Sequence, residues 1–416
     1  MIKRDILSDI RNHISEKEMT FIVGARQVGK TTLMNILSDE LKAKGEKVAL
    51  FNLDFYSDKE LFSSQQYFID KIKSLYGNDK VFLFVDEIQR IPDAAIFLKG
   101  IYDKGYNFKF IVSGSGSIEL KAKTKESLTG RKLEFIVSPV SFTEFVNYKT
   151  KYEFEGNIIA YLSFNSEKTQ SLLKEYLAFG GYPRIVTEEN PVSKRNLINE
   201  IFSSYVEKDI KQLMNVEKDD AFLILVRLLA ASAGKLLNHR KLSSETSLSL
   251  PTLMNYLFYA EKTYLIDLVK PYSRSHKKEI TKAPVVNFND VGIRNYALGL
   301  YGNENAGNDS GFIFQNFIYL FIRDILRNSG YKINYWRTNS GAEVDFVIDK
   351  INDLIPIEVK YTSLKSNSIS RSLRSFIQKY NPQNAYILNL TANQTVEIEN
   401  TKVHIIPFYQ IIEHLK

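Results

Sequence analysis

Gly24-Ala25-Arg26-Gln27-Val28-Gly29-Lys30-Thr31-Thr32 fits the phosphate-loop pattern G-x-x-x-x-G-K-[ST]. Phe21-Ile22-Val23 before it reads as the end of a buried strand. Thr32-Leu33-Met34-Asn35-Ile36-Leu37 after it reads as the first turns of a helix. The two glycines let backbone N–H groups wrap phosphates, and the helix N-terminus adds the positive end of its dipole. Lys30 is then expected to reach the β- and γ-phosphates, and the Thr31 hydroxyl to ligate Mg²⁺. The expected ligand of residues 24–32 is ATP or GTP.

At 416 residues the chain is long for one core, so roughly two to four domains are expected. A hydrophobic fraction of 44% with 25% charged residues describes a globular protein. The sequence contains no cysteine, which excludes disulfides, thiolate catalysis and cysteine-ligated zinc. Met1-Ile2-Lys3-Arg4-Asp5 opens charged, without the apolar centre of a signal peptide. The apolar stretch from Ala221 to Leu229 is short and contains Arg227, so no membrane span is expected and the cytoplasm is the default location. The net charge of +7 permits contact with nucleic acid but does not require it.

The first part of the chain alternates strand and helix signals. Strand-like runs are Thr20–Val23, Val48–Leu53, Val81–Val85, Phe108–Val112 and Leu133–Val137, and Asp58–Tyr76 is the longest helical stretch between them. This alternation predicts an α/β fold with a parallel sheet. From about Asn157 to Asn215 the pattern is helical, interrupted by Gly180-Gly181-Tyr182-Pro183. A helical block follows from Lys218 to Leu265, and a second α/β segment begins after about Ala306.

Val81-Phe82-Leu83-Phe84-Val85-Asp86-Glu87 supplies the second half of the nucleotide site. It describes a buried strand whose tip carries two carboxylates. Asp86 is expected to hold the Mg²⁺ shell, and Glu87 to orient and polarise the attacking water. Ser113 or Ser115, at the end of the next strand, is a candidate to sense the γ-phosphate. Arg131 is a candidate phosphate-sensing arginine or a finger offered to a neighbouring subunit, with a surface salt bridge as the alternative. Gly24–Thr32, the Asp86-Glu87 strand, the Ser113–Ser117 loop, Leu128–Arg131, Ser141-Phe142-Thr143-Glu144-Phe145 and Gly180–Pro183 together resemble a prokaryotic family of AAA-type ATPases. Its members carry a C-terminal domain of unknown function. The resemblance implies the AAA core fold, ATP rather than GTP, and Mg²⁺.

Leu223 to Val269 resembles a winged helix: Leu223–Ser232, Asn238–Ser244 and Thr252–Glu261, then a strand and a wing carrying Arg274, His276, Lys277 and Lys278. The candidate reading helix offers only Thr252 and Asn255 to base edges, so a structural or signal-transmitting role is favoured over sequence-specific DNA binding.

Asn334–Thr338, Ala342–Ile348 and Ile355–Lys360 read as three successive strands, flanked by helices over Phe312–Leu326 and Ser366–Tyr380. Asp345 with Glu358-x-Lys360 resembles the D…(D/E)-x-K signature of the restriction-endonuclease-like fold. Glu358 and Lys360 lie two apart, so they project from one face of a strand. With Asp345 opposite, the two carboxylates can hold Mg²⁺ while Lys360 orients or activates water. Active members of that class often place a glutamate on the first helix. The resembling ATPase family often has Glu where this chain has Gln315, and a neutral amide weakens the field a hard cation needs.

The organisation expected from these readings is an AAA-type ATPase core over 1–150 and a helical lid or connector over 151–216. A winged-helix-like domain over 217–295 and a restriction-endonuclease-like α/β domain over 296–416 follow. The expected function is an ATP-hydrolysing switch whose nucleotide state controls a nuclease-like domain. The alternative is an ATPase whose C-terminal half serves protein or nucleic-acid binding. Expected partners are ATP, nucleic acid through the C-terminal half, and protein partners or further copies of the chain.

Overall fold

The computed structural model describes residues 1–115, 128–206, 219–274, 282–303, 309–351, 353–363 and 369–415. Strands β1 (Met19–Gly24), β2 (Lys47–Asn52), β3 (Val81–Asp86), β4 (Phe108–Ser115) and β5 (Lys132–Val137) form a wholly parallel sheet in the order β2-β3-β4-β1-β5. β1 and β3 are buried along their whole length, as strands of a two-sided parallel sheet must be. β4 lies between them, so their C-terminal tips converge. Among the described residues the helices that accompany the sheet are α1 (Ile6–His13), α2 (Lys30–Ala43), α3 (Tyr56–Leu61), α4 (Gln65–Tyr76) and α5 (Ala94–Asp103). The single helix expected over 58–76 is two. Ser64 is extended, and its hydroxyl accepts the Tyr67 N–H at 3.1 Å, capping α4 and ending the earlier turn.

After β5 the chain enters α6 (Phe142–Lys149) through a capping box. The Ser141 hydroxyl accepts the Glu144 N–H at 3.2 Å, and the Glu144 carboxylate accepts the Ser141 N–H at 2.9 Å. Helices α7 (Ile158–Phe164), α8 (Ser166–Phe179), α9 (Pro183–Thr187) and α10 (Pro191–Ser204) follow. The glycine pair between α8 and α9 answers a close approach. Gly181 N–H donates to Asp290 Oδ2 at 2.7 Å. At Gly180, where φ is +79°, a Cβ would stand 2.4 Å from Asp290 Oδ1.

The middle of the chain comprises α11 (Asp219–Ala231), α12 (His239–Thr246) and α13 (Leu250–Lys262). An antiparallel pair, β6 (Ile266–Val269) and β7 (Val285–Phe288), and then α14 (Val291–Ala297) complete it. His276, Lys277 and Lys278 lie outside the described residues, as do Ser117 and the first positions of the helix expected over 366–380.

Helix α15 (Ser310–Ile325) leads into a second sheet. Its strands are β8 (Lys332–Arg337), β9 (Glu343–Asp349), β10 (Leu354–Val359), β11 (Asn384–Asn389), β12 (Gln394–Ile398) and β13 (Thr401–Pro407), ordered β12-β13-β11-β10-β9-β8. β8, β9 and β10 run antiparallel, and β10, β11 and β13 run parallel. Helix α16 (Arg371–Tyr380) separates β10 from β11 and starts at Ser370, whose hydroxyl accepts the Leu373 N–H at 3.0 Å. This extended Ser370 is why α16 begins later than the expected Ser366. The chain is therefore an α/β protein with an N-terminal parallel sheet and a C-terminal mixed sheet. Among the described residues no helix is long and apolar enough to cross a membrane.

The apolar cores do not respect the boundaries between these segments. Ile22 of β1, Val28 of the loop after it and Leu33 of α2 share one core with Leu225, Leu253 and Phe288 of the middle segment. Phe142 and Phe145 of α6 share another with Phe317 of α15 and Phe408. Phe142 stands 5.5 Å from Tyr176, 5.3 Å from Phe317 and 5.6 Å from Phe408, ring centre to ring centre, with rings steeply inclined. Truncating this fully buried ring removes aromatic contacts between the first and last segments. Phe142→Ala is expected to cost about 3–5 kcal/mol of folding stability in chemical denaturation. A loss below about 1 kcal/mol would show that the junction is not a packed core.

Candidate functional site

The C-terminal ends of β1, β3 and β4 lie side by side, at the end of the sheet where open α/β folds collect ligands. Gly24 ends β1 with φ at +152°, where a Cβ would stand 2.2 Å from the Val137 carbonyl oxygen, so only glycine fits between the adjacent strands. Gln27 and Gly29 also adopt positive φ, at +59° and +99°, and Gly29 leads directly into α2. The Lys30 ammonium is buried inside the loop and donates to the carbonyls of Gly24 at 3.1 Å and Ala25 at 2.6 Å. Loop, lysine and helix N-terminus thus stand together as the sequence predicts.

The second half of the site is a hydrogen-bonded chain that joins α2 to the tips of β3 and β4. Thr31 Oγ1 donates to Asp86 Oδ2 at 2.7 Å. Asp86 Oδ1 accepts the Ser113 hydroxyl and the Glu87 N–H, the latter at 3.1 Å. Glu87 has φ at +59°, a left-handed conformation sparsely populated by side-chain-bearing residues and concentrated at functional sites. Its carboxylate accepts the Gln89 side-chain amide. The donor set of one hydroxyl and one carboxylate, already adjacent, fits a magnesium shell that retains several waters.

Arg131 is not brought to this site. Its carbonyl accepts the Met19 N–H at 2.8 Å, at the opposite end of β1. A strand rises about 3.3 Å per residue, so Gly24 is roughly 16 Å further on. The Arg131 guanidinium is instead forked onto Asp103, at 2.6 and 3.1 Å. It is a salt bridge within its own chain, not a phosphate-sensing arginine there. A different arginine approaches the loop. Arg184 Nη1 lies 3.2 Å from Gln27 Oε1 and 2.7 Å from Glu200 Oε1, and it is half exposed. Its only sequence signal is its place directly after Gly180-Gly181-Tyr182-Pro183.

The C-terminal residues also converge. The antiparallel register that pairs Ile357 with Phe346 puts Glu358 opposite Asp345. Asp345 Oδ2 accepts the Val359 N–H at 2.8 Å, and Oδ1 accepts the Gln315 amide at 2.9 Å. Burial pushes the Asp345 carboxyl up to about 7, against the pull of the Val359 N–H and with the Glu358 charge adding to the rise. Glu358 pairs with Lys360 at 2.7 Å and accepts the Ser370 hydroxyl at 2.8 Å. Gln315 is pressed by the middle segment, since a Cβ on Gly234 would lie 2.8 Å from its Oε1. Among the described residues no three acidic or histidine side chains converge as a metal cage.

The family described as an AAA domain matches residues 16–146. Two domains of unknown function, DUF8612 and DUF4143, match 170–304 and 310–411. An uncharacterized protein of Haemophilus influenzae is 25% identical over 351 residues, 82% of either chain. One of Methanocaldococcus jannaschii is 24% identical over 426 residues, covering 97% of this chain and 90% of its own. Among solved structures, AMPPCP-bound DnaA from Aquifex aeolicus covers 62% of this chain and 86% of its own at 16% identity, with a TM-score of 0.27. PCH-2 of C. elegans covers 62% and 66% at 16% identity and the same TM-score of 0.27. At such TM-scores these overlaps add nothing to the sheet order already described. With the phosphate loop inside the matched segment, residues 16–146 are an AAA-type domain, and two domains of unknown function follow it.

Proposed function

We propose that this chain is an ATP-hydrolysing switch whose nucleotide state controls a nuclease-like C-terminal domain. The observation that carries the reading is the hydrogen-bonded chain Thr31–Asp86–Ser113–Glu87 beside the phosphate loop. Lys30 and the start of α2 bind the phosphates, and Arg184 adds positive charge at the mouth of the loop. Thr31 and Asp86 would hold Mg²⁺, which when bound offsets charge on the β- and γ-phosphates. Glu87 orients the attacking water and accepts its proton. The water oxygen bonds to the γ-phosphorus as the bond from phosphorus to the β-bridging oxygen breaks, and ADP leaves.

The three helices and β-hairpin between 219 and 288 form a winged-helix-like segment that transmits the nucleotide state. The exposed face of α13 offers Met254, Asn255 and Phe258, which suits packing more than base reading. In the last segment Asp345 and Glu358 would hold a divalent cation, and Lys360 would orient water. The Gln315–Asp345 bond favours a second reading, in which that fold binds nucleic acid or protein without cutting it.

Lys30→Ala is expected to abolish ATP binding. Glu87→Gln is expected to keep it while slowing hydrolysis at least about 100-fold, as loss of a positioned base does. Wild-type turnover in Glu87→Gln would remove Glu87 from the chemistry. Nicking of supercoiled plasmid with Mg²⁺ or Mn²⁺ that disappears in Lys360→Ala would establish the nuclease. Intact ATP hydrolysis without nicking would establish the binding module. A cation at Asp345 competes with a proton held up to about pH 7. Calorimetric Mn²⁺ affinity should therefore rise roughly tenfold from pH 6 to pH 8, because the carboxyl is protonated below that range and ionised above it. A flat profile would place the cation elsewhere.

A further inference from the structure

Arg4 belongs to none of the motifs, yet its guanidinium touches the phosphate loop. Nη1 donates to the Val28 carbonyl at 2.9 Å, and Nη2 donates to the Ser138 carbonyl at 2.6 Å and the Pro139 carbonyl at 3.3 Å. Nε donates to Glu144 Oε2 at 3.0 Å, in an ion pair whose side chains are 9% and 4% exposed. The fork spans the loop, the turn after β5 and the capping box of α6, a reach that fits a planar guanidinium with five donors and not an ammonium.

The Val28–Gly29 peptide is planar and trans, so its carbonyl and N–H point in opposite directions. With the Val28 carbonyl held on Arg4, the Gly29 N–H is turned away from Arg4. The loop is therefore gripped at both ends by two consecutive residues: Gly24 lies against the Val137 carbonyl and Val28 is tied to the Ser138 carbonyl. Ser138 also reaches the C-terminal segment. Arg323 of α15 donates from Nη2 to the Ser138 hydroxyl at 3.5 Å, and from Nη1 to Asp267 Oδ2 at 2.5 Å and to Asn289. Tyr319 donates to the same Asp267 oxygen at 2.9 Å. Loop, β5 turn, middle hairpin and α15 are thus joined by a short run of polar contacts.

We propose that Arg4 is a positioning residue that aims the Gly29 N–H at bound phosphate through Val28, and that Ser138 ties the loop it holds to Arg323 of α15. The inference rests on the ATP reading above. In the full chain, Arg4→Gln and Arg4→Lys are each expected to weaken binding of a fluorescent ATP analogue by roughly tenfold or more, the loss of one or two charge-assisted hydrogen bonds. Arg323→Gln should bind it like wild type. Hydrogen exchange of α15 should respond to ATP in wild type and lose that response in Arg323→Gln.

Thermal melts separate positioning from support. A merely structural Arg4 would lower the melting temperature while the folded variant kept its dissociation constant, which would overturn the proposal. Arg4→Lys keeps a positive charge beside Glu144 and serves where Arg4→Gln does not fold. Wild-type exchange in α15 that ignores ATP would overturn the link to Arg323. A wild-type chain that binds no nucleotide would bring down the ATP reading itself, whereas equal binding by wild type and both Arg4 variants would overturn this inference alone.

Discussion

The buried pair Arg4–Glu144 is the contact on which the arrangement of the molecule turns. Taking two charges out of water is costly, and such a pair persists only when hydrogen bonds satisfy its remaining donors and acceptors. Here they do. Glu144 accepts from Arg4, from the Asp5 N–H at 2.7 Å and from the Ser141 N–H at 2.9 Å. Arg4 spends its other donors on carbonyls of the phosphate loop and the β5 turn. Removing either partner would strand the other in a nearly dry site. The same carboxylate completes the capping box of α6, which delivers Phe142 and Phe145 into the core shared with α15. One ion pair therefore joins the phosphate loop, the β5 turn and the cap of α6, whose aromatic rings pack against the C-terminal segment.

The C-terminal carboxylates show the opposite use of burial. Asp345 is held by one backbone and one amide donor, neither charged, and its carboxyl is raised, not lowered. Desolvation outweighs two neutral hydrogen bonds. Lys360 is committed to Glu358 and is itself substantially exposed, with 42% of its side chain in contact with solvent. A glutamate at position 315 would add a third acid beside Asp345, whereas Gln315 turns the same position into a donor.

Much of the site was legible because its chemistry is local. Gly24 through Thr31 run from the end of a strand through a loop into a helix, so an eight-residue pattern specifies their mutual placement. Asp86, Glu87 and Ser113 follow from strand tips in a parallel sheet. Glu358 and Lys360 follow from the two-residue period of a strand. Of the readings of Arg131, the structure shows the salt bridge, with Asp103. Arg131 directly precedes β5, at the end of the parallel sheet opposite Gly24 and the tip of β3. Arg184 and Arg4 were unreadable as site residues because each meets the loop across a long sequence separation. The breaks before Gln65 and Arg371 turn on serine side chains that cap helices, a choice settled by whether the preceding residues can stay extended.

By itself, then, the sequence determined the periodic and contiguous features: the alternation of strands and helices in the first part, the phosphate loop with Lys30 and Thr31, the acidic tip at Asp86 and Glu87, and the spacing of Glu358 and Lys360. These follow from backbone geometry repeated over a few residues. Only the tertiary structure decided that β4 lies between β1 and β3, that Asp345 faces Glu358 and bonds Gln315, and that Arg4 and Arg184 approach the loop while Arg131 does not. The physical reason is that these contacts join residues tens to hundreds of positions apart. They exist because burying Phe142, Phe317 and their neighbours in shared cores brings those segments together, and no local pattern records that.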